Sequence, residues 1–116
     1  MADYAKLKLS ASVNGKMIKV TQSGTPGTVI HTALAGTDGY DEIWLWAINT
    51  DTTDRKLTIE WGGVTSPDDL IEYTVPAEDG LKIIVPGLVL NNSAVIRAFA
   101  ATADVIMISG FVNRIA

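Results

Sequence analysis

The sequence contains no cysteine, and it carries little charge of either sign. Its 116 residues include nine lysines and arginines, thirteen aspartates and glutamates, and one histidine. Without cysteine, a disulfide framework, a thiolate nucleophile and a zinc–thiolate site are excluded. The net charge of −4 argues against a nucleic-acid groove, because such binding depends on clustered lysine and arginine. The nine basic residues are scattered along the chain instead.

Long hydrophobic runs are also missing. No segment approaches the roughly 18 consecutive apolar residues that a transmembrane helix requires. The first ten residues, MADYAKLKLS, lack the charged and then apolar regions of a signal peptide. We therefore expect a soluble protein with no membrane partner and no secretory signal.

The patterns that are present predict strands. Leu57, Ile59 and Trp61 alternate with polar residues, which is typical of a strand with one buried face. Similar short runs recur between turn signals, and no window of helical length carries a stronger 3.6-residue apolar period. We predict an all-β protein, an antiparallel β-sandwich of jelly-roll or immunoglobulin-like type.

One strand, Ile43 to Ile48, is apolar on both faces. Trp44, Trp46 and Ile48 share one face, and the residues between them, also apolar, occupy the other. In a domain of this size, one face would lie on the core and the other against the same chain or a partner. The sequence does not determine which of the two faces lies on the core.

The N-terminal segment predicts a β-hairpin or arm over residues 1–23, ahead of a sandwich domain over residues 24–116 within one structural unit. Asn14-Gly15 is the strongest two-residue hairpin signal in the chain. Pairing across that turn would place Leu9 opposite Val20 on an apolar face. Two interpretations remain open: ordinary edge strands of the sandwich, or an element that docks on a neighbouring subunit.

No group of residues predicts catalysis, a cofactor or a metal. His31 is alone in its strand and lacks an adjacent nucleophile. The polar run 49–54 lacks the glycine and the bidentate glutamate of a calcium loop, so a tight turn explains it. Asp68, Asp69 and Glu72 fit a solvated loop. We predict a protein that is not an enzyme.

Tryptophan allows a second function. Trp44, Trp46 and Trp61 would suit a platform for sugar rings if they were exposed, and they would equally suit a core or an interface. A glycan-binding module, or a head-fibre or tail-fibre adhesion component, is therefore the alternative function.

Residues 41–115 contain, in order, WLWAINT, LTIEW, a strand ending in Val-Pro-Ala-Glu, an aliphatic run ending in Pro-Gly-Leu, and a final GFVNRI. In this order of strands and turns the segment resembles small β-sandwich virion proteins of tailed bacteriophages. It implies a head decoration or cement protein that binds the outer capsid surface and stabilises it. The implied location is the virion, after synthesis in the host cytoplasm.

The expected partners are the major capsid protein and further copies of the chain. We expect a closed homo-oligomer, with a trimer favoured, because the doubly apolar strand needs a cover. The N-terminal segment and the tryptophan strand would supply the contacts. The predicted interface residues are Leu7, Leu9, Ile18, Val20, Lys6, Lys8, Lys19, Trp44 and Trp46.

Overall fold

The structure is a computed structural model that describes residues 3–116, and it contains nine strands in that range. The strands are β1 (Tyr4–Lys8), β2 (Ile18–Lys19), β3 (Thr28–Thr32), β4 (Tyr40–Asn49), β5 (Arg55–Trp61), β6 (Leu70–Val75), β7 (Lys82–Leu90), β8 (Val95–Ala100) and β9 (Ile106–Ile115).

The strands form two antiparallel sheets that pack face to face. Sheet A has the order β1–β9–β4–β7, with β2 also paired to β9, and sheet B has the order β3–β8–β5–β6. Both β1 and β2 lie along the same edge of β9, so they act as one interrupted strand. With those two combined, the chain changes sheet at every connection except β5–β6. This is a jelly roll, so the predicted β-sandwich is confirmed.

The turn predicted at Asn14-Gly15 is present, but the predicted pairing of the two strands that flank it is wrong. Asn14 and Gly15 both have positive φ, 57° and 84°, and the Lys16 amide donates to the Val13 carbonyl over 2.9 Å. The flanking strands, however, pair with β9 and not with each other. The boundary expected near residue 23 falls between β2 and β3, and both strands belong to the same sandwich.

The loop over residues 9–17 connects the edges of the two sheets. The Ala11 amide donates to the Ile30 carbonyl over 3.3 Å, and the Thr32 amide donates to Ser10 Oγ over 2.7 Å. Leu9 enters the core from this loop. The loop therefore joins the β1 edge of sheet A to the β3 edge of sheet B.

The core lies between the sheets, and one of the two apolar faces of β4 points into it. Ile43, Leu45 and Ala47 are fully buried, whereas Trp44 and Trp46 point away from sheet B and are partly exposed. The fully or nearly fully buried apolar side chains come from both sheets and from the N-terminal segment. They include Leu9, Val20, Ile30, Leu57, Ile59, Val85, Ile96, Ile106, Ile108 and Val112.

We predict that the N-terminal segment is needed for folding. Val20 is 0% exposed in the core and Val13 is 69% exposed in the Asn14-Gly15 turn. Val20→Ala should lower the free energy of unfolding by about 2 kcal/mol, because it removes buried methyl groups and leaves a cavity. Val13→Ala, the matched control, should change it by less than about 0.5 kcal/mol.

Urea denaturation of both variants would measure the difference. Equal stabilities would contradict the placement of the segment in the core. Deletion of residues 2–22 would remove the β1–β2 edge together with Leu9, Ile18 and Val20, so it should destabilise the whole sandwich.

Candidate functional site: the aromatic face of sheet A

The outer face of sheet A carries a cluster of partly exposed aromatic side chains. The antiparallel register places Phe111 of β9 beside Trp44 of β4, and Ser109 beside Trp46. We call Trp44, Trp46 and Phe111 the aromatic face. Because side chains alternate along a strand, these three point outward when their neighbours fill the core.

The three rings pack against one another. The centroids of Trp44 and Trp46 are 6.3 Å apart, those of Trp44 and Phe111 are 6.1 Å apart, and those of Trp46 and Phe111 are 5.9 Å apart. The angles between ring planes are 21°, 12° and 28°, respectively, so the rings are close to parallel. This spacing lies within the range of favourable aromatic pairs. The cluster is therefore ordered without a partner.

A carboxylate fixes the orientation of Trp44. Trp44 Nε1 donates to Glu42 Oε1 over 2.8 Å, and Asn113 Nδ2 donates to the same oxygen over 3.1 Å. The hydrogen bond from Trp44, and then that from Asn113, lower the pKa of the Glu42 carboxyl below its usual value. Within residues 3–116, Glu42 Oε2 and Trp46 Nε1 have no hydrogen-bond partner. Both are available to a ligand.

A glycine on β7 makes room for Trp44. Gly87 has φ of +84°, and a Cβ at this position would lie 3.0 Å from Trp44 Cζ2. Any larger residue would therefore strain the backbone and displace the indole. Ile83 and Val89 on the same strand are half exposed, so the apolar surface continues to the β7 edge.

Lysines border the opposite edge of this face. Lys6, Lys8 and Lys19 lie beside Asn113, Phe111 and Met107, respectively, in the β1–β9 and β2–β9 pairings. The Lys6 ammonium is 4.3 Å from the centroid of the Phe111 ring, which is cation–π distance. We call these three residues the lysine edge. All three were predicted from the sequence as interface residues, whereas Phe111 and Glu42 were not.

The outer face of sheet B is polar by comparison. Lys56 of β5 forms an ion pair with Glu72 of β6. Glu60 is fully buried there, and it accepts hydrogen bonds from Gly27 N over 2.7 Å and from Thr25 Oγ1 over 2.5 Å. The two outer faces of the sandwich therefore differ in chemistry, since that of sheet A is aromatic and that of sheet B carries an ion pair.

The structure separates the predicted interface residues into two groups. Lys6, Lys8, Lys19, Trp44 and Trp46 share the outer face of sheet A. The other four belong to the interior, because Leu9, Ile18 and Val20 are buried in the core and Leu7 packs against it. Those four side chains fill the interior of the chain itself and do not lie on the outer face, since β1, β2 and the loop between them complete the sandwich instead of standing apart.

The remaining tryptophan does not join the aromatic face. Trp61 of β5 packs against the core on sheet B. The platform of three tryptophans considered in the sequence analysis is therefore not formed. Phe111 occupies the third position, and only the long-range pairing of β9 with β4 brings it there.

His31 belongs to a buried polar cluster that crosses the sandwich. Its Nε2 lies 2.7 Å from Asp41 Oδ2, and its Nδ1 accepts a hydrogen bond from the Ser10 amide over 2.9 Å. Because Nδ1 accepts, the proton lies on Nε2 and is donated to Asp41. Arg114 donates to both Asp41 oxygens, from Nε over 2.7 Å and from Nη2 over 3.0 Å. This cluster links β3, β4, β9 and the N-terminal loop.

Polar side chains in the acidic turns form hydrogen bonds with backbone groups. Asn49 Nδ2 donates to the carbonyls of Thr53 and Val75, and Asp54 Oδ1 accepts from the Ala77 amide over 2.9 Å. Asp69 Oδ2 accepts from the Thr65 amide over 3.0 Å, while Glu72 pairs with Lys56. Within residues 3–116 there is no group of three or more acidic, histidine or cysteine side chains placed to hold a metal.

Comparisons with protein-family models, curated proteins and solved structures found no match for this chain. The part of the chain that the structure describes encloses no pocket. Among residues 3–116 there is also no helix with the length and hydrophobicity of a membrane span.

We predict that the Asp41 cluster makes the free energy of unfolding fall at low pH. Burial by itself raises the pKa of the Asp41 carboxyl, but hydrogen bonds from Arg114 and His31 outweigh it and lower the pKa below its usual value. Because the pKa is lower in the folded state, the contribution is complete above the unfolded pKa of about 3.9. This contribution to stability should be lost as the pH falls below that value and through the lower pKa of the Asp41 carboxyl in the folded protein.

Asp41→Asn should reduce the free energy of unfolding at pH 7 by about 3 kcal/mol, because it leaves a cation without its buried partner. It should also flatten the loss of stability below about pH 4. Denaturant titrations across pH would measure both effects, with Asp38→Asn in the exposed β3–β4 loop as the control. An Asp41 variant that keeps the wild-type pH profile would contradict the assignment.

We also predict that Gly87 holds Trp44 in place. Gly87→Ala and Gly80→Ala both put a side chain at positive φ, +84° and +70°, but a Cβ at Gly80 meets nothing within 4 Å. Both should lower stability by about 1 kcal/mol or more. Only Gly87→Ala should shift the indole N–H resonance of Trp44 in an amide correlation spectrum, assigned with Trp44→Phe. Equal shifts in both variants would contradict the contact.

Proposed function

We propose that this protein is a non-enzymatic structural component of a tailed-phage virion, a head decoration or cement protein that acts as a homo-oligomer. The observation that carries the proposal is the aromatic face of sheet A, whose three rings are partly exposed and adjoin half-exposed Ile83 and Val89, since apolar patches on soluble proteins mark surfaces that bind other proteins. The resemblance of residues 41–115 to phage virion proteins supplies the setting.

The jelly roll supports the proposal in a general way. Jelly rolls occur in viral capsid proteins, but also in lectins and cupins, so the fold alone does not assign a role. The sheet edges favour assembly through a face. β7 carries Pro86 and two register shifts against β4, and β3 contains a bulge between Val29 and His31. Such features hinder the addition of strands at an edge.

The aromatic face would hold copies of the chain together on the particle. Each contact between copies is modest in area, but repetition over a symmetric shell multiplies the effect through multivalency. The major capsid protein would then bind an oligomer that presents several equivalent sites. Stabilisation of the shell would follow, because each oligomer would connect neighbouring capsid subunits.

The test is co-sedimentation of the purified protein with undecorated phage heads, followed by imaging of the pelleted shells. We expect saturable binding at symmetry-related positions. Trp46→Ala should weaken binding at least about tenfold through loss of multivalency. Tyr73→Ala is the control, because Tyr73 is a partly exposed aromatic residue of sheet B. Absence of saturable binding by the wild type would overturn the proposal.

One observation favours a second candidate, glycan binding. Trp46 is partly exposed, its indole N–H has no acceptor within residues 3–116, and Ser109 lies beside it in the β4–β9 pairing. An aromatic ring next to hydrogen-bonding groups is a suitable surface for a sugar ring. Titration with a panel of oligosaccharides should then change tryptophan fluorescence in the wild type and not in Trp46→Ala. No response to any oligosaccharide would eliminate this candidate.

A further inference from the structure

We infer that a second copy of this chain covers the aromatic face, in a two-fold dimer whose axis runs along β9. The inference rests on the proposed function only in treating this face as an interface between copies. The two sheets A would pack face to face, with their strands aligned, as the sheets of a sandwich do. The position of the axis follows from which residues share a row across β1, β9 and β4.

Three rows of outward side chains cross these strands. Lys8, Phe111 and Trp44 form one row, Lys6, Asn113 and Glu42 form the next, and the last contains Tyr4, Ile115 and Tyr40. In each row, β9 supplies the middle residue. A two-fold axis along β9 therefore places each β1 residue of one copy opposite the β4 residue of the same row in the other copy.

Two of the resulting pairs are complementary, whereas Lys19 of β2 would face Ile48 of the other copy. Lys6 of each copy faces Glu42 of the other, and Lys8 of each copy faces the indole of Trp44. Such a contact is isologous, since every pair occurs twice by symmetry. Long side chains can meet across the roughly 10 Å that separates packed sheets. Both charged groups lie on this face: the two hydrogen bonds to Glu42 fall on Oε1, and the Lys6 ammonium lies over Phe111, a contact that pairing with Glu42 of the other copy would replace.

Other two-fold arrangements lack this match. An axis along β4 would place Glu42 of one copy against Glu42 of the other. An axis across the strands would place the lysine edge of one copy against that of the second. Like charges directly opposite one another are unfavourable, and both alternatives leave the lysines without a carboxylate. The charge pattern therefore selects the axis along β9, and it favours a dimer over the trimer expected from the sequence.

The size of the contact predicts its strength. The ten paired residues of β4 and of β9, with the seven of β1 and β2, at about 4.8 Å by 3.4 Å each, give a footprint of roughly 450 Å² on each copy. The total, about 900 Å², is below the range of standard specific interfaces and typical of weak ones. We expect a dimer that dissociates in the micromolar range.

Sedimentation velocity of the purified full chain, over a range of micromolar concentrations, tests the inference. The wild type should show a concentration-dependent monomer–dimer equilibrium. Lys6→Glu and Glu42→Lys should each raise the dissociation constant at least about tenfold, because each puts two like-charged pairs into the homodimer. Lys16→Glu and Glu78→Lys make the same charge changes in exposed turns, and they should leave the dimer unchanged.

The decisive sample is an equimolar mixture of Lys6→Glu and Glu42→Lys chains. The mixed dimer contains one Glu–Lys pair and one Lys–Glu pair, so both contacts are attractive and association should recover. Circular dichroism melting of each variant would first establish that it is folded. A wild-type monomer or trimer, or a mixture of folded variants that stays monomeric, would overturn the inference.

This outcome is separable from that of the proposed function. A chain that dimerises as described but does not bind heads would refute the virion role and leave the dimer standing. A chain that binds heads but remains monomeric in solution, or whose mixed variants do not recover association, would refute the dimer and leave the virion role standing.

Discussion

The pairing of β4 with β9 determines both the interior and the exterior of this protein. Ten consecutive residue pairs, from Tyr40 with Ile115 to Asn49 with Ile106, hold the centre of sheet A in one register. In that register Ile43 and Val112 face the core together, and Trp44 and Phe111 face outward together. A slip by one residue would send the aromatic rings into the core and the aliphatic side chains into water. The buried Asp41–Arg114 pair stands at one end of the same ladder, where it opposes such a slip.

The same pairing explains why the N-terminal segment is part of the sandwich. β9 has one side occupied by β4, and its other side would be an open edge without β1 and β2. The loop between β1 and β2 then crosses to β3, so one short segment covers an edge of each sheet. Since exposed edges promote uncontrolled pairing, this arrangement leaves the outer faces as the surfaces for specific contacts. In the part of the chain that the structure describes, the outer face of sheet A is aromatic and is bordered by the lysine edge, and that of sheet B carries the Lys56–Glu72 ion pair.

Local patterns in the sequence predicted strands, turns and the two-faced nature of β4, because alternation and turn chemistry act over a few residues. They did not predict which strands are neighbours. The Asn14-Gly15 turn formed as expected, yet its flanking strands pair with residues about 90 to 110 positions away, and period-2 alternation carries no information about that choice. The buried Glu60 and Asp41 were missed for a related reason. Their main partners, Gly27 and Arg114, lie 33 and 73 residues away, so no local signal marks either carboxylate as buried.

The arrangement of the aromatic face connects weak self-association to a role on a particle. In the isolated chain, Lys6 lies over Phe111 and Glu42 holds Trp44, so the rings are shielded and ordered before any partner arrives. That order lowers the entropic cost of binding. It also means that a second copy must compete for Lys6, which now interacts with its own Phe111. Pairwise association is therefore expected to be weak, and it would become effective where many copies are held at fixed spacing. A symmetric shell provides that condition, and dilute solution does not.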